Sequence, residues 1–226
     1  MARPWETLDR LETDEGTMEL RRRGEKEFLI TVAGRVLMSS AAHRSEMALA
    51  ESACAHLAGR PAPRVLIGGL GMGFTLRAAL DHLPADARVV VAELQPTVIE
   101  WCRGPLAELT GRAVEDRRAE IVVADVAERI DRAAEGGTGD RYDAILLDLY
   151  EGPREVSGGD DAPFYGRRAL QTTRAALARG GVFGVWSEDP DPAFERRLRG
   201  NGFRVERLRP RSGGPRHVVY LARLSR

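Results

Sequence analysis

Lysine is almost absent from this chain: of 34 basic residues only Lys26 is not an arginine, which we read as the coding bias of a GC-rich genome. A net charge of either sign is missing too, because 34 acidic residues cancel the bases. The balance therefore asks for neither nucleic acid nor an anionic membrane as partner. Two cysteines, Cys54 and Cys102, are too few for a disulfide framework, and neither has a second cysteine at zinc-ligand spacing. The four histidines, His43, His56, His82 and His217, are scattered, so no metal site is implied. No run approaches the ~18 apolar residues of a membrane span, and the N-terminus lacks the apolar core of a signal peptide. The expectation is a soluble protein of a reducing compartment, most simply the cytoplasm.

The 226 residues suffice for one large domain, or for a main domain with a small appendage. Residues 1–15 are acidic and show no clear period. From Thr17 to Ser40, short β-like runs are punctuated by Arg23-Gly24 and Ala33-Gly34, which read as hairpin turns. Residues 1–44 are thus expected to form a small β unit and residues 45–226 the main domain. Ser45 to Leu57 has apolar residues at helical spacing and is closed by Gly59 and Pro61. Beyond it, strands and helices alternate. "RVLIGG", "ARVVVAEL", "AEIVVAD", "YDAILLDL" and "VFGVWS" read as strands. The helices between them include Pro96 to about Leu109 and residues 162–178. The pattern predicts an α/β fold with a doubly wound, mostly parallel, Rossmann-like sheet. "FRVERLRP" and "RHVVYLARL" close the chain as two β runs, the last antiparallel.

Chemistry concentrates where the strands end. Gly69, Gly71 and Gly73 follow the first parallel strand directly. Absent Cβ atoms let such a turn tighten and a ligand approach, while the next helix offers free N–H groups. A dinucleotide fingerprint would place glycine or alanine three residues after Gly71 or Gly73, where Phe74 and Leu76 stand. That argues against a pyrophosphate. Glu93 ends the second strand, 22 residues beyond Gly71, and a carboxylate there can accept hydrogen bonds from ribose hydroxyls. Asp125 ends the third strand, where adenosyl-sulfonium folds often bind the adenine amino group. All three ends fall on one sheet edge, and the ligand reads as S-adenosylmethionine or a close relative. Plain turns and solvated strand ends stay open as alternatives.

These stretches together resemble the spermidine synthase family, the polyamine aminopropyltransferases. "VLIGGLGMGFTLR" is similar to its V-L-I-I-G-G-G-D-G-x-x-L-R, and "VAELQPTVIEWCR" to its V-E-I-D-x-x-V-V-x-x-C-R. "YDAILLDLYEGP" and "PFYGRRALQTTRAALARGGVFGVW" resemble two further family segments, so the likeness runs over residues ~60–190. The resemblance implies a transferase of decarboxylated or ordinary S-adenosylmethionine, as a homodimer, with a small-molecule acceptor of the amine class. It puts Glu93, with Leu94 beside it, on the ribose, and Asp125 and Val126 on the adenine. Gly69, Leu70, Gly71, Met72 and Gly73 fall beneath the amino-acid tail. Asp148 falls on the catalytic acid that accepts a proton from the attacking amine. Glu46 and Glu151 match acids of the acceptor side, although Glu151 could equally face solvent. Tyr150, just past the Asp148 strand end, would line the acceptor pocket or donate a hydrogen bond, and Trp186 would form a wall. Trp101 is expected in the core. Arg154–Asp161 reads as a mobile gate or an ordinary loop.

Departures from the family pattern narrow the acceptor. The family's D-G-x-x-Q stands here as Ala33-Gly34-Arg35-Val36-Leu37, and D-E-x-x-Y-H-E is reduced to His43-Arg44-Ser45-Glu46. Each lost charge-assisted hydrogen bond forgoes roughly 1.5–3 kcal/mol, so putrescine is not the expected acceptor. Met72 replaces an aspartate. A carboxylate in its place would repel that of full S-adenosylmethionine by about 3 kcal/mol at ~5 Å, so ordinary S-adenosylmethionine, and with it methyl transfer, becomes an alternative. A catalytically silent nucleotide-binding module is the alternative from another class.

Overall fold

Four short strands precede the first helix in the computed structural model, which describes residues 3–150, 152–153, 162–210 and 217–224. Strands β1 (Glu6–Thr13), β2 (Gly16–Arg23), β3 (Glu27–Val32) and β4 (Arg35–Ser39) form an antiparallel meander in that order. The β3–β4 turn is Ala33-Gly34, with φ of 48° and 78°. Paired positive φ values give the primed turn whose twist matches the strands it joins. Strand β1 lies in the first fifteen residues, where the sequence shows no clear period. Its period is masked because its outward residues are charged and pair across the sheet: Arg10 meets Glu19 at 2.8 Å and Glu6 meets Arg22 at 3.1 Å. Charges on an edge strand also discourage pairing with other chains.

The second sheet contains β5 (Arg64–Gly68), β6 (Arg88–Glu93), β7 (Ala119–Val123), β8 (Tyr142–Leu147), β9 (Leu177–Ser187), β10 (Phe203–Leu208) and β11 (Val218–Leu224). Their order is β10-β11-β9-β8-β5-β6-β7, and β11 alone runs opposite to the other six. This is the expected mostly parallel sheet with its reversed last strand. Helices α1 (Arg44–Ala55), α2 (Phe74–His82) and α3 (Pro96–Arg103) cover one face, and α4 (Val126–Glu135), α5 (Arg167–Ala176) and α6 (Pro192–Gly200) the other. Burial on both faces explains the unbroken apolar runs: Val65 and Ile67 join one core cluster, Leu66 the other. The meander contributes Leu20, Phe28 and Ile30 to the first cluster, beside Leu49 of α1 and Leu76 of α2. Trp101 is in that core as expected, and its Nε1 donates to Asp9 Oδ2 of β1 at 2.7 Å.

Two helices are shorter than expected. Helix α3 stops at Arg103 because Gly104 leaves helical geometry (φ −107°, ψ −111°) and Pro105 follows; a separate 3-10 turn covers Ala107–Thr110. Helix α5 begins only at Arg167, after Phe164 adopts φ 59°, and Leu177 already belongs to β9. Cys54 and Cys102 are free and buried, and burial pushes both thiols up to about 12, which keeps them unreactive. Among the described residues no helix is long and apolar enough to cross a membrane, and no group of side chains could hold a metal ion.

Candidate functional site

The glycine turn lies where the ends of β5, β6 and β8 converge. Gly69, Gly71 and Gly73 have φ of 88°, 52° and 85°. A Cβ on Gly69 would stand 2.5 Å from the Asp148 carbonyl oxygen, so only glycine lets the turn cross the end of β8. Gly69→Ala is expected to cost about 3 kcal/mol, which for a chain of this size lowers Tm by roughly 6–12 °C. Calorimetry checks it, and an unchanged Tm would mean that the turn has room to spare.

Glu93 closes β6 and ties two loops together. Its Oε2 accepts from Leu70 N–H at 2.8 Å and its Oε1 from Gln95 N–H at 2.9 Å. Each oxygen keeps a lone pair for a further donor. Asp125 caps α4, its Oδ1 accepting from Ala127 N–H at 2.8 Å. Asp148 follows β8 directly. Its Oδ2 accepts from Thr75 Oγ1, in the first turn of α2, at 2.5 Å.

One cavity of about 740 Å³ joins these strand ends. Glu93, Asp125, Asp148, Gly69 and Gly71 line it, as do Leu94 and Val126. Glu46, Tyr150 and Trp186 line it as well, so the predicted cofactor and acceptor residues share one space. Leu94 is 62% exposed at the cavity rim. Tyr150 lies at the mouth with the Arg35 guanidinium 5.2 Å from its ring centre. Trp186 Nε1 is buried with no partner among the described residues. Glu151 and the Arg154–Asp161 segment lie outside the described residues.

Three predicted members of the turn do not line the cavity. Leu70 and Met72 point into the core, and Gly73 caps α2 with a left-handed backbone. Met72 is fully buried, so the expectation that its thioether faces a bound ligand is corrected. Its N–H instead points at Met38 Sδ, 3.1 Å away, and Met38 of β4 does line the cavity.

The opposite wall is the part that strand-end motifs do not reveal. Met18, Ile30, Val32, Leu37 and Met38 of the meander form it, together with Ala33 and Arg35. Ala33 and Leu37, where the resembled family pattern has its aspartate and glutamine, therefore bring no polar side-chain group to the cavity. The alternation of Ile30 and Val32 along β3 was the available signal.

The electrostatics are one-sided. Glu15, Glu46, Glu93, Asp125 and Asp148 line the cavity, against Arg35 as its one lining cation among the described residues. Asp148 keeps an opening to the cavity, yet its carboxyl is surrounded by protein. Burial and the charge of Glu46 push it up to about 7, against the pull of the Thr75 hydroxyl. Such a cavity favours cations and holds a carboxyl poised to exchange a proton near neutrality.

Comparison with known proteins points the same way. A polyamine aminopropyltransferase of Saccharolobus islandicus is 31% identical over 135 residues, 60% of this chain and 41% of that protein. One of Pyrobaculum calidifontis is 38% identical over 94 residues, 41% of this chain and 32% of that protein. The spermidine synthase of Thermotoga maritima has the same fold over 97% of this chain and 73% of its own, with a TM-score of 0.73 and 22% identity. The chain is similar in sequence to these polyamine aminopropyltransferases and shares the fold of the spermidine synthase. No family model matches it. The chain spans less than half the length of the curated relatives it matches. Human methyltransferase-like protein 13, solved with SAH, shares the fold at a TM-score of 0.58 and 22% identity, over 82% of each chain.

Proposed function

We propose that the chain transfers an aminopropyl group from decarboxylated S-adenosylmethionine to an amine acceptor other than putrescine. The observation that carries this reading is one cavity lined by Glu46, Glu93, Asp125 and Asp148 with a single lining cation among the described residues. The donor set suits the ligand: Glu93 has lone pairs for ribose hydroxyls, Asp125 an acceptor for the adenine amino group, and Leu94 and Val126 apolar surface for a purine. The bound sulfonium would supply an activated aminopropyl carbon. Thr75 occupies Oδ2 of Asp148, which leaves Oδ1 to take the proton of the attacking amine, and the raised affinity of that carboxyl for a proton suits a general base. Ala33 and Leu37 on the wall offer no partner for the second ammonium of a diamine.

Methyl transfer from ordinary S-adenosylmethionine is the second reading, and Arg35 favours it as a lining cation that could meet a carboxylate. Calorimetric titration with both sulfoniums separates the two. The decarboxylated form is expected to bind at least tenfold tighter, because a like charge near an acidic wall costs about 3 kcal/mol at ~5 Å. Equal or reversed affinities would favour methyl transfer, binding without turnover of any acceptor would favour a silent module, and no binding of either would overturn the sulfonium reading.

A further inference from the structure

A second cavity, of about 1090 Å³, lies at the other edge of the parallel sheet, where β8 and β9 begin. Arg60, Arg179, Arg204 and Arg223 line it, with Asp143 as its one acid among the described residues. That acid is engaged on both oxygens: Oδ1 accepts from Arg60 Nη1 at 2.5 Å and Oδ2 from Arg64 N–H at 2.9 Å. Arg60 also donates to the Arg179 carbonyl oxygen at 2.8 Å, so it is held in place and its charge is compensated. The guanidiniums of Arg179, Arg204 and Arg223 have no hydrogen bond or ion pair among the described residues.

Two of those three are forced together. Arg204 of β10 and Arg223 of β11 are direct cross-strand partners, so both side chains leave the same face of the sheet, with Cβ atoms about 5 Å apart. Like charges directly opposite each other destabilise a strand pair, and no acid among the described residues relieves this one. Arg223 is half-buried and its Nε is shut off from solvent. Part of its charge is therefore desolvated as well as uncompensated, which raises the cost of leaving it so. A bound anion relieves both the repulsion and the uncompensated charge.

We propose that this edge binds a small polyanion carrying two or three linked phosphates, an inference independent of the transferase reading. The planar guanidinium fork meets phosphate oxygens through paired N–H···O bonds, and three uncompensated guanidiniums suit the charge of a short phosphate chain. Outside the patch acidic residues outnumber basic ones, so a long polymer such as nucleic acid finds no continuing basic track. The acids of the strand-end cavity repel the same anion. The two cavities thus select ligands of opposite charge at opposite edges of one sheet.

The test is calorimetric and uses the full chain with tripolyphosphate as probe at fixed ionic strength. Tripolyphosphate at a hundred times its Kd is expected to raise Tm by roughly 5–10 °C. Arg179→Gln and Arg204→Gln, both at exposed positions, should each weaken its binding about tenfold or more. Arg35→Gln, in the strand-end cavity, should leave binding unchanged. Without ligand, Arg204→Gln should melt about 1–3 °C above the natural protein, because the like-charge contact is gone. A variant that melts lower while tripolyphosphate still binds would assign Arg204 to the fold and overturn the site. Equal binding of tripolyphosphate and UTP would show that the phosphate chain alone is read; tighter UTP, lost in Arg204→Gln, would make a nucleotide the natural source. Sulfate or citrate binding as tightly as tripolyphosphate would refute recognition of a phosphate chain. Tighter binding of a single-stranded oligonucleotide would replace the proposal with a nucleic-acid surface, and no binding of tripolyphosphate would end it.

Discussion

Asp148→Asn is expected to lower kcat by roughly 10²–10⁴-fold at pH 8 while leaving sulfonium affinity nearly unchanged. The substitution keeps the shape of a side chain that Thr75 holds at 2.5 Å and removes only its capacity to take a proton. The pH profile supplies an independent check. Because burial and Glu46 push Asp148 up to about 7, the basic form is lost tenfold per pH unit below that value, so kcat/KM should climb with pH and level off above it. The variant should show no such limb. Stability should move the opposite way. A carboxyl whose folded pKa lies above its unfolded value of 3.8 favours the folded state when protonated. Its ionisation therefore weakens the fold as pH rises through the folded value. Asp148→Asn should accordingly melt higher than the natural protein at pH 8, with the gap closing toward about pH 4. An inactive variant that is also less stable at pH 8 would mean that the carboxylate is structural.

Glu93→Ala carries the second large effect, expected in binding. The substitution strands two backbone donors, Leu70 N–H and Gln95 N–H, that now meet Glu93 at 2.8 and 2.9 Å, at about 1–3 kcal/mol for each unpaired group. It also deletes the acceptor proposed for the ribose hydroxyls. The Kd for decarboxylated S-adenosylmethionine should rise about 100-fold or more, measured by titration calorimetry. A change below tenfold with the fold intact would place the ribose elsewhere along the edge.

Much of this architecture was legible because the rules that govern it are local. Val65-Leu66-Ile67 must be covered on both faces, and a strand covered on both faces is a parallel strand with helices around it. The acids at 93, 125 and 148 each follow such a run, so the topology alone carries them to one edge. Other features were not legible because they depend on side-chain direction after unusual backbone. Three glycines at positive φ reset the phase of the turn, and no pattern says that Met72 turns inward while Gly71 lies open. Strand β1 was hidden by its own cross-strand ion pairs. The nearness of Glu46 to Asp148 joins residues a hundred positions apart through Thr75, a contact that only packing reveals.

The meander supplies one side of the cavity and the parallel sheet the other. Substitutions at Met18, Val32 or Leu37 can therefore reshape what the acceptor meets without touching any carboxylate at the strand ends. Under the proposed function, rewriting a hairpin exchanges one nucleophile for another while the proposed nucleoside seat stays the same.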